Sequence, residues 1–414
     1  MRSAFASASK RVGRAGKRGL LAALIATALA IGPASAQLPT QKDKADSGGF
    51  QTAAENAILI EAESGSVLYE KNADQPFFPA SLSKLMTAEV VFNALRAGTL
   101  KMDDEFAISE HAWRKGGAPA GGSAMFAPIN SRVKVSDLIQ GIIVQSGNDA
   151  CIAMAEGMAQ NEEQFARLMN DRARAIGLTR STFTNPTGLH EPNHKTTARD
   201  LGILARHIIR TYPEYYHYYG QREFTWNKIR QQNRNPLLTM DLGADGMKTG
   251  FTKESGYGLV GSTMQNGLRF IVVVSGLKNA KDRADEGRKL LEWGYRTFES
   301  KLIFVEGQNI ADAKVFGGAK GSVPLTAKRE VRVMMPKSGN EKLIARILYK
   351  GPVPAPVQDG QPVGTLKVWR NDHLALEVPL QAADSVETGS TPQRALDVAV
   401  ELVITLFRAG VQGL

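Results

Sequence analysis

One cysteine, Cys151, is present in 414 residues, so no intrachain disulfide can form. It lies in Asn148-Asp149-Ala150-Cys151-Ile152-Ala153-Met154-Ala155, which reads as a buried helix. There the thiol is a small core side chain. A thiol nucleophile would need a base beside it, and the neighbouring residues offer no plausible one. Acidic residues are missing from residues 1–36, which carry six basic ones (Arg2, Lys10, Arg11, Arg14, Lys17 and Arg18). Without them the formal charge of +10 falls to +4, too small an excess to argue for nucleic acid. Long apolar runs are missing too. The run Leu20 to Ile31 is too short to span a bilayer. Following a basic stretch and preceding Ala34-Ser35-Ala36, it reads as a secretory signal over residues 1–36, cleaved before Gln37.

Residues 37–52 have the composition of a flexible tether. Runs 57–60 and 66–69 flank Glu63-Ser64-Gly65, a hairpin signal. A helix is expected from about Ser81 to Arg96, stopped by Gly98, and helical patterns dominate to about Tyr219. Strands return at 257–263 and 269–275 around Gln265-Asn266-Gly267, and a helix at 283–297 closes the unit. Strands at both ends with helices between them predict an α+β domain over 53–298, its sheet joining the two ends.

From residue 299 to 382 the texture changes to short, partly alternating runs punctuated by Gly and Pro. The runs at 331–333, 343–348, 365–369 and 374–378 predict a small β-rich domain. Residues 383–391 read as a polar linker. In 392–414, Arg394, Asp397, Glu401, Thr405, Arg408 and Gln412 recur at steps of three or four, a single polar stripe on an apolar helix. Such a helix suits a membrane interface; the alternative is packing against the β-rich domain.

Three short motifs carry chemistry. Ser81-Leu82-Ser83-Lys84 puts a hydroxyl and an amine three residues apart at a helix start, on one face. A serine is a poor nucleophile without a base, and a lysine serves as one only if burial or a neighbouring cation lowers its pKa. Lys248 is a candidate for that cation. Ser146-Gly147-Asn148 falls on a turn between two apolar helices, where Ser146 can relay a proton and Asn148 can orient Lys84 or hold substrate. Lys248-Thr249-Gly250 precedes a strand; a cation and a hydroxyl there can hold a carboxylate, and Gly250 lets a substrate backbone approach. Each motif alone is commonplace; their joint order is not.

With Pro79-Ala80-Ser81-Leu82-Ser83-Lys84-Leu85-Met86-Thr87, Ser146-Gly147-Asn148-Asp149-Ala150 and Asp245-Gly246-Met247-Lys248-Thr249-Gly250, the chain resembles low-molecular-mass penicillin-binding proteins of the D-alanyl-D-alanine carboxypeptidase 5/6 type. The resemblance spans nearly everything after residue 36. It implies a β-lactamase/transpeptidase-like α+β domain, then a small all-β domain and an amphipathic helix. It also implies an acyl-enzyme on Ser81, Lys84 as general base, Ser146 in proton transfer, and Lys248 with Thr249 on the terminal carboxylate. The amides of Ser81 and Phe251 would form the oxyanion hole. Relatives often carry histidine after K-T-G, where this chain has Phe251. Arg283 resembles a family arginine near the carboxylate pocket. The implied partners are peptidoglycan stem peptides, β-lactams at the same serine, and a membrane surface outside the cytoplasm; no cofactor or metal is implied. A D,D-endopeptidase, a β-lactamase and a non-catalytic wall-binding protein remain as alternatives.

Two further patterns compete for attention. His190-Glu191-Pro192-Asn193-His194 matches a zinc-peptidase motif, but Pro192 breaks the helix that would align the histidines. Glu191 invites comparison with the deacylating glutamate of class A β-lactamases, although its flanking residues differ. Tyr212, Tyr215, Tyr216, Tyr218 and Tyr219 suggest packing at a helix end or a membrane or glycan contact.

Overall fold

In the computed structural model, which describes residues 50–339, 342–370 and 373–412, the two ends of the first domain meet in one sheet. The signal and most of the tether lie outside the described residues. Strands β1 (Asn56–Glu61) and β2 (Val67–Lys71) form the opening hairpin, with Gly65 in its turn at φ +79°. The chain then enters a tight turn, Ala80–Ser83, that runs into α1 (Lys84–Arg96). Ser81 therefore sits one turn ahead of the helix rather than within it.

Helices α2 (Glu110–Gly116), α3 (Val135–Gln140), α4 (Asn148–Ala159), α5 (Glu162–Ala175), α6 (Ala198–Thr211) and α7 (Pro213–Tyr216) follow. Two small ribbons accompany them: β3 (Glu105–Ala107) with β4 (Arg132–Lys134) around α2, and β5 (Glu223–Trp226) with β6 (Ile229–Gln232) after α7. The strands β7 (Ala244–Thr252), β8 (Gly256–Gln265) and β9 (Leu268–Leu277) complete an antiparallel sheet of order β2-β1-β9-β8-β7. Asn266 and Gly267 both have positive φ, the geometry of a tight hairpin turn between β8 and β9.

The period of two along each strand divides the core. Ile58, Ile60, Val260, Ile271 and Val273 face the helical layer that contains α1, α4 and α6. Leu59, Leu259, Phe270, Val272 and Val274 face α8 (Ala280–Thr297), through Leu290, Leu291 and Trp293. Helix α1 is buried from Lys84 to Phe92, so its polar residues need partners within the protein. Glu89 is bonded by Arg172 Nε at 3.1 Å and Tyr212 Oη at 3.1 Å. The tyrosine cluster is largely packing: Tyr212, Tyr216 and Tyr219 are buried, and Tyr212, Tyr215 and Tyr219 surround Phe92.

The second domain pairs β10 (Phe298–Phe304) with a later strand and builds a six-stranded sheet from the rest. Its strands are β11 (Ala311–Phe316), β12 (Ser322–Thr326), β13 (Val331–Pro336, the partner of β10), β14 (Leu343–Tyr349), β15 (Val353–Pro354), β16 (Pro362–Arg370) and β17 (His373–Ala382). The stretch read as linker contributes to this domain. Val386 is 2% exposed, and it exchanges two 2.9 Å backbone bonds with Val357. Thr388 bridges Gly318. Polar neighbours conceal this one core position in the sequence.

Helix α9 (Thr391–Gln412) leaves from there. Asp397 accepts a bond from the Gly317 amide at 2.7 Å, yet Leu396, Val398, Val400 and Leu402 are 65%, 56%, 49% and 59% exposed. The first turns thus touch the β domain by a polar tether while these apolar side chains remain uncovered.

Shortening the chain after Ala382 is expected to destabilise the β domain by about 2 kcal/mol or more, the burial of Val386 alone. Shortening it after Ser390 should leave the domain nearly unchanged. Calorimetric melting of the two proteins decides it; equal midpoints would show that residues 383–390 contribute nothing.

Candidate active site

Ser81 is held by backbone that most residues avoid. Ala80, just before it, has φ +48°, a conformation costing on the order of 1–3 kcal/mol and kept only where surroundings enforce it. Gly188 provides the enforcement. Its own φ is +79°, and a Cβ there would fall 1.8 Å from the Ala80 carbonyl oxygen. On the other side, a Cβ on Gly250 would lie 3.0 Å from Leu82 Cγ and 3.1 Å from the Leu82 nitrogen. The turn that carries Ser81 is therefore gripped between a loop and the edge strand β7, and a glycine is required at the closest approach.

Lys84 is 1% exposed, and its Nζ lies 3.1 Å from Ser81 Oγ, 2.8 Å from Asn148 Oδ1 and 2.5 Å from the Thr187 carbonyl oxygen. The last two atoms can only accept. A neutral amine has two N–H groups and one lone pair. Giving the hydrogens to Asn148 and Thr187 leaves the lone pair for the Ser81 hydroxyl. Burial pushes the Lys84 pKa below the ordinary lysine value, and Arg234 acts in the same direction. Burial is thus the leading cause, ahead of any neighbouring cation.

Ser146 ends a single turn of π-helix, Gly141–Gln145, in the left-handed region at φ +64°. Single π-turns recur at functional sites. Its side chain is buried, and Oγ has no hydrogen-bond partner among the described residues. Asn148 opens α4, with its amide bonded to Ser123 O at 2.8 Å. Asp149 beside it accepts from the amides of Met125, Ala127 and Ala150 at 2.7, 3.2 and 2.9 Å. That carboxylate sews the segment 123–127 to the start of α4. Cys151 is fully buried, and burial pushes its thiol up to about 12, so it is inert as a nucleophile.

Lys248 and Thr249 lie buried on β7. Burial, followed by the charge of Lys84, drives the Lys248 pKa well below the ordinary range. Two desolvated lysines repel, so the pair favours shedding one proton. Among the described residues Lys84 has three hydrogen-bond partners, whereas Lys248 has one acceptor, Thr249 O at 3.2 Å. Phe251 is 49% exposed and stacks on Tyr257 at 4.1 Å; the Arg283 guanidinium lies 5.5 Å from the Tyr257 ring centre. Burial lowers the Arg283 pKa, and its Nε has no partner among the described residues.

Lys84 thus meets Ser81 and Asn148 directly and acts electrostatically on Lys248; Gly250 lies against the Ser81 turn, Phe251 and Arg283 flank Tyr257, and Ser146 precedes the start of α4. Others were missed. Arg234 donates to Ser123 Oγ and acts electrostatically on Lys84, Lys248 and Arg283. Nothing in Asn233-Arg234-Asn235-Pro236 signals this. Thr187 supplies the carbonyl beside Lys84, and Asn185 shapes its turn; here Asn185-Pro186-Thr187-Gly188 did carry a turn signature.

The histidines of the zinc-like pattern are separated. His194 is buried, with Nε2 2.9 Å from Ser83 Oγ and Nδ1 3.0 Å from Thr184 Oγ1. Burial lowers it to about 4, so it stays neutral. His190 is exposed and meets the Phe78 ring edge at 4.4 Å. Glu191 bonds Asn185 Nδ2 at 3.2 Å.

Known proteins resemble this chain over most of its length. Residues 40–279 match the D-alanyl-D-alanine carboxypeptidase family profile, and residues 298–388 the C-terminal domain of penicillin-binding protein 5. The D-alanyl-D-alanine carboxypeptidase DacC of Escherichia coli (strain K12) is 41% identical over 343 residues, 82% of this chain and 86% of its own. Penicillin-binding protein 5 from Haemophilus influenzae superposes with a TM-score of 0.73 at 38% identity, covering 81% of this chain and 98% of that one. Penicillin-binding protein D2 from Listeria monocytogenes, in its ampicillin-bound form, gives 0.54 at 30% identity, over 59% of this chain and 98% of that one. The chain belongs to the D-alanyl-D-alanine carboxypeptidase family of serine peptidases.

Proposed function

We propose that the protein is a serine D-Ala-D-Ala carboxypeptidase that removes the terminal D-alanine from peptidoglycan stem pentapeptides. The observation that carries the reading is the buried Lys84 Nζ, 3.1 Å from Ser81 Oγ, with acceptors on Asn148 and Thr187 for the two hydrogens of its neutral form. Ser81 Oγ attacks the carbonyl carbon of the last peptide bond, and its proton passes to Lys84 Nζ. The amides of Ser81 and Phe251 hold the oxyanion. When the C–N bond breaks, the departing amine of D-alanine takes the proton, relayed by the unpartnered Ser146 hydroxyl. Water then attacks the Ser81 ester, again giving its proton to Lys84, and the ester bond breaks to restore the serine.

Lys248 and Thr249 bind the terminal carboxylate, with Arg283 and Arg234 adding positive potential. An enzyme that requires a free C-terminus needs cations there, which favours a carboxypeptidase over an endopeptidase. A β-lactam acylates the same Ser81, as the ampicillin-bound relative supports. The basic and apolar character of residues 1–36 supports export, and the uncovered apolar side chains of α9 support attachment to the periplasmic face of the cytoplasmic membrane. No helix among the described residues is long and apolar enough to cross a bilayer.

Ser81→Ala should abolish both D-alanine release from a pentapeptide muropeptide and covalent labelling by fluorescent penicillin. Labelling of that variant would refute the acyl-serine reading. Because acylation needs neutral Lys84 and burial lowers its pKa, the rate should rise with pH and level off at a midpoint below the ordinary lysine value of 10.5. Lys84→Arg, charged throughout, should be slower by at least about a hundredfold with no such limb. A midpoint at or above 10.5 in stopped-flow acylation would remove Lys84 as base. Deleting residues 391–414 should release the protein from membranes; continued sedimentation with vesicles would refute the anchor.

A further inference from the structure

The loop from Thr182 to Thr196 is fastened to the nucleophile element more heavily than the reaction alone requires. Thr87 Oγ1 on α1 donates to Pro186 O at 2.7 Å, Lys84 to Thr187 O, and Ser83 meets His194. At the loop's far end, Phe77 and Thr196 exchange backbone bonds of 2.8 and 3.0 Å. Within the loop one side chain is the hub. Asn185 is buried, and its Oδ1 accepts from Thr187 N at 3.1 Å, Thr187 Oγ1 at 2.8 Å and Gly188 N at 2.8 Å. Its Nδ2 donates to Leu189 O at 3.0 Å and to Glu191.

A turn closed by asparagine needs one such bond; here three donors converge on one oxygen. The Gly188 amide lies in the same peptide plane as the Thr187 carbonyl, so holding it, with the Thr187 amide and hydroxyl held as well, fixes the direction of that carbonyl. That carbonyl is the second acceptor for the Lys84 amine. With Asn148 alone, rotation about the Cε–Nζ bond leaves the lone pair two staggered positions, only one of them toward Ser81. The second acceptor removes that freedom.

We propose that Asn185 is a positioning residue for the general base: through the Thr187 carbonyl it fixes where the Lys84 lone pair points. This rests on the reading of Lys84 as the base of an acyl-serine enzyme. Among the described residues Asn185 bonds only members of its own loop, so its influence falls on the chemical step rather than on ligand affinity.

The test is time-resolved acylation of the full chain by fluorescent penicillin, separating the pre-covalent binding constant from the acylation rate. Asn185→Ala should slow acylation on the order of ten- to a hundredfold, as misplacement of a reacting group does, with the binding constant unchanged. Acylation at the wild-type rate in the alanine variant, or loss shared equally between binding and rate, overturns the proposal. If Asn185→Ala does not fold, Thr187→Val decides: losing one donor should slow acylation measurably at constant affinity, and a wild-type rate overturns the idea. Failure of the wild type to label at all, or labelling that survives Ser81→Ala, would instead remove the acyl-serine reading itself.

Discussion

An ammonium group buried without a carboxylate is the constraint from which the rest of the site follows. The Lys84 partners are a hydroxyl, an amide oxygen and a carbonyl oxygen, all neutral. The neighbouring acid, Asp149, turns its oxygens toward three backbone amides instead. Keeping an unpaired charge in such a place costs several kcal/mol, and a lysine escapes the cost by giving up its proton. The fold therefore lowers the proton affinity of this amine before any ligand arrives. A glutamate at bonding distance would stabilise the ammonium and remove the lone pair the reaction needs.

That requirement explains features that are otherwise only unusual. Neutral acceptors must come from backbone and amides, which brings a loop 103 residues distant in sequence against α1. Close approach of that loop requires Gly188 over the Ala80 carbonyl, and close approach of β7 requires Gly250 over Leu82. The strained backbone at Ala80 lies within this gripped region. Strain of that kind persists because burial on both sides leaves no alternative packing.

The sequence revealed the parts of this arrangement whose chemistry is local. Ser81 and Lys84 share one turn, Ser146 marks a break between apolar runs, and Lys248 precedes a strand with glycines on either side. Hairpin signals around Gly65 and Gly267 were enough to predict a sheet that closes the domain on itself. What stayed hidden depends on distant neighbours. Arg234 lies among asparagines in a loop, and only tertiary structure brings it to the lysines. Thr187 acts through its carbonyl, which no side chain announces. In the second domain, β13, β14, β16 and β17 were legible as apolar runs. Strands β11 and β12 carry Asp312, Lys314 and Pro324, and Val386 is a lone core residue in a polar stretch.

The cations around the site give the last step. Lys84, Lys248, Arg234 and Arg283 repel one another in a desolvated space, and burial lowers the pKa of each. Arginine holds its proton regardless, so the two lysines carry the strain of the cluster. On the proposed reading, a substrate with a free carboxylate settles which of them yields. Paired with that anion, Lys248 retains its charge, and the proton that the cluster must shed comes from Lys84. Recognition of the chain end would then act on the base as well as on binding. A substrate lacking the carboxylate would lose turnover in addition to affinity, because the interaction that holds it is also the one that keeps the Lys84 lone pair free.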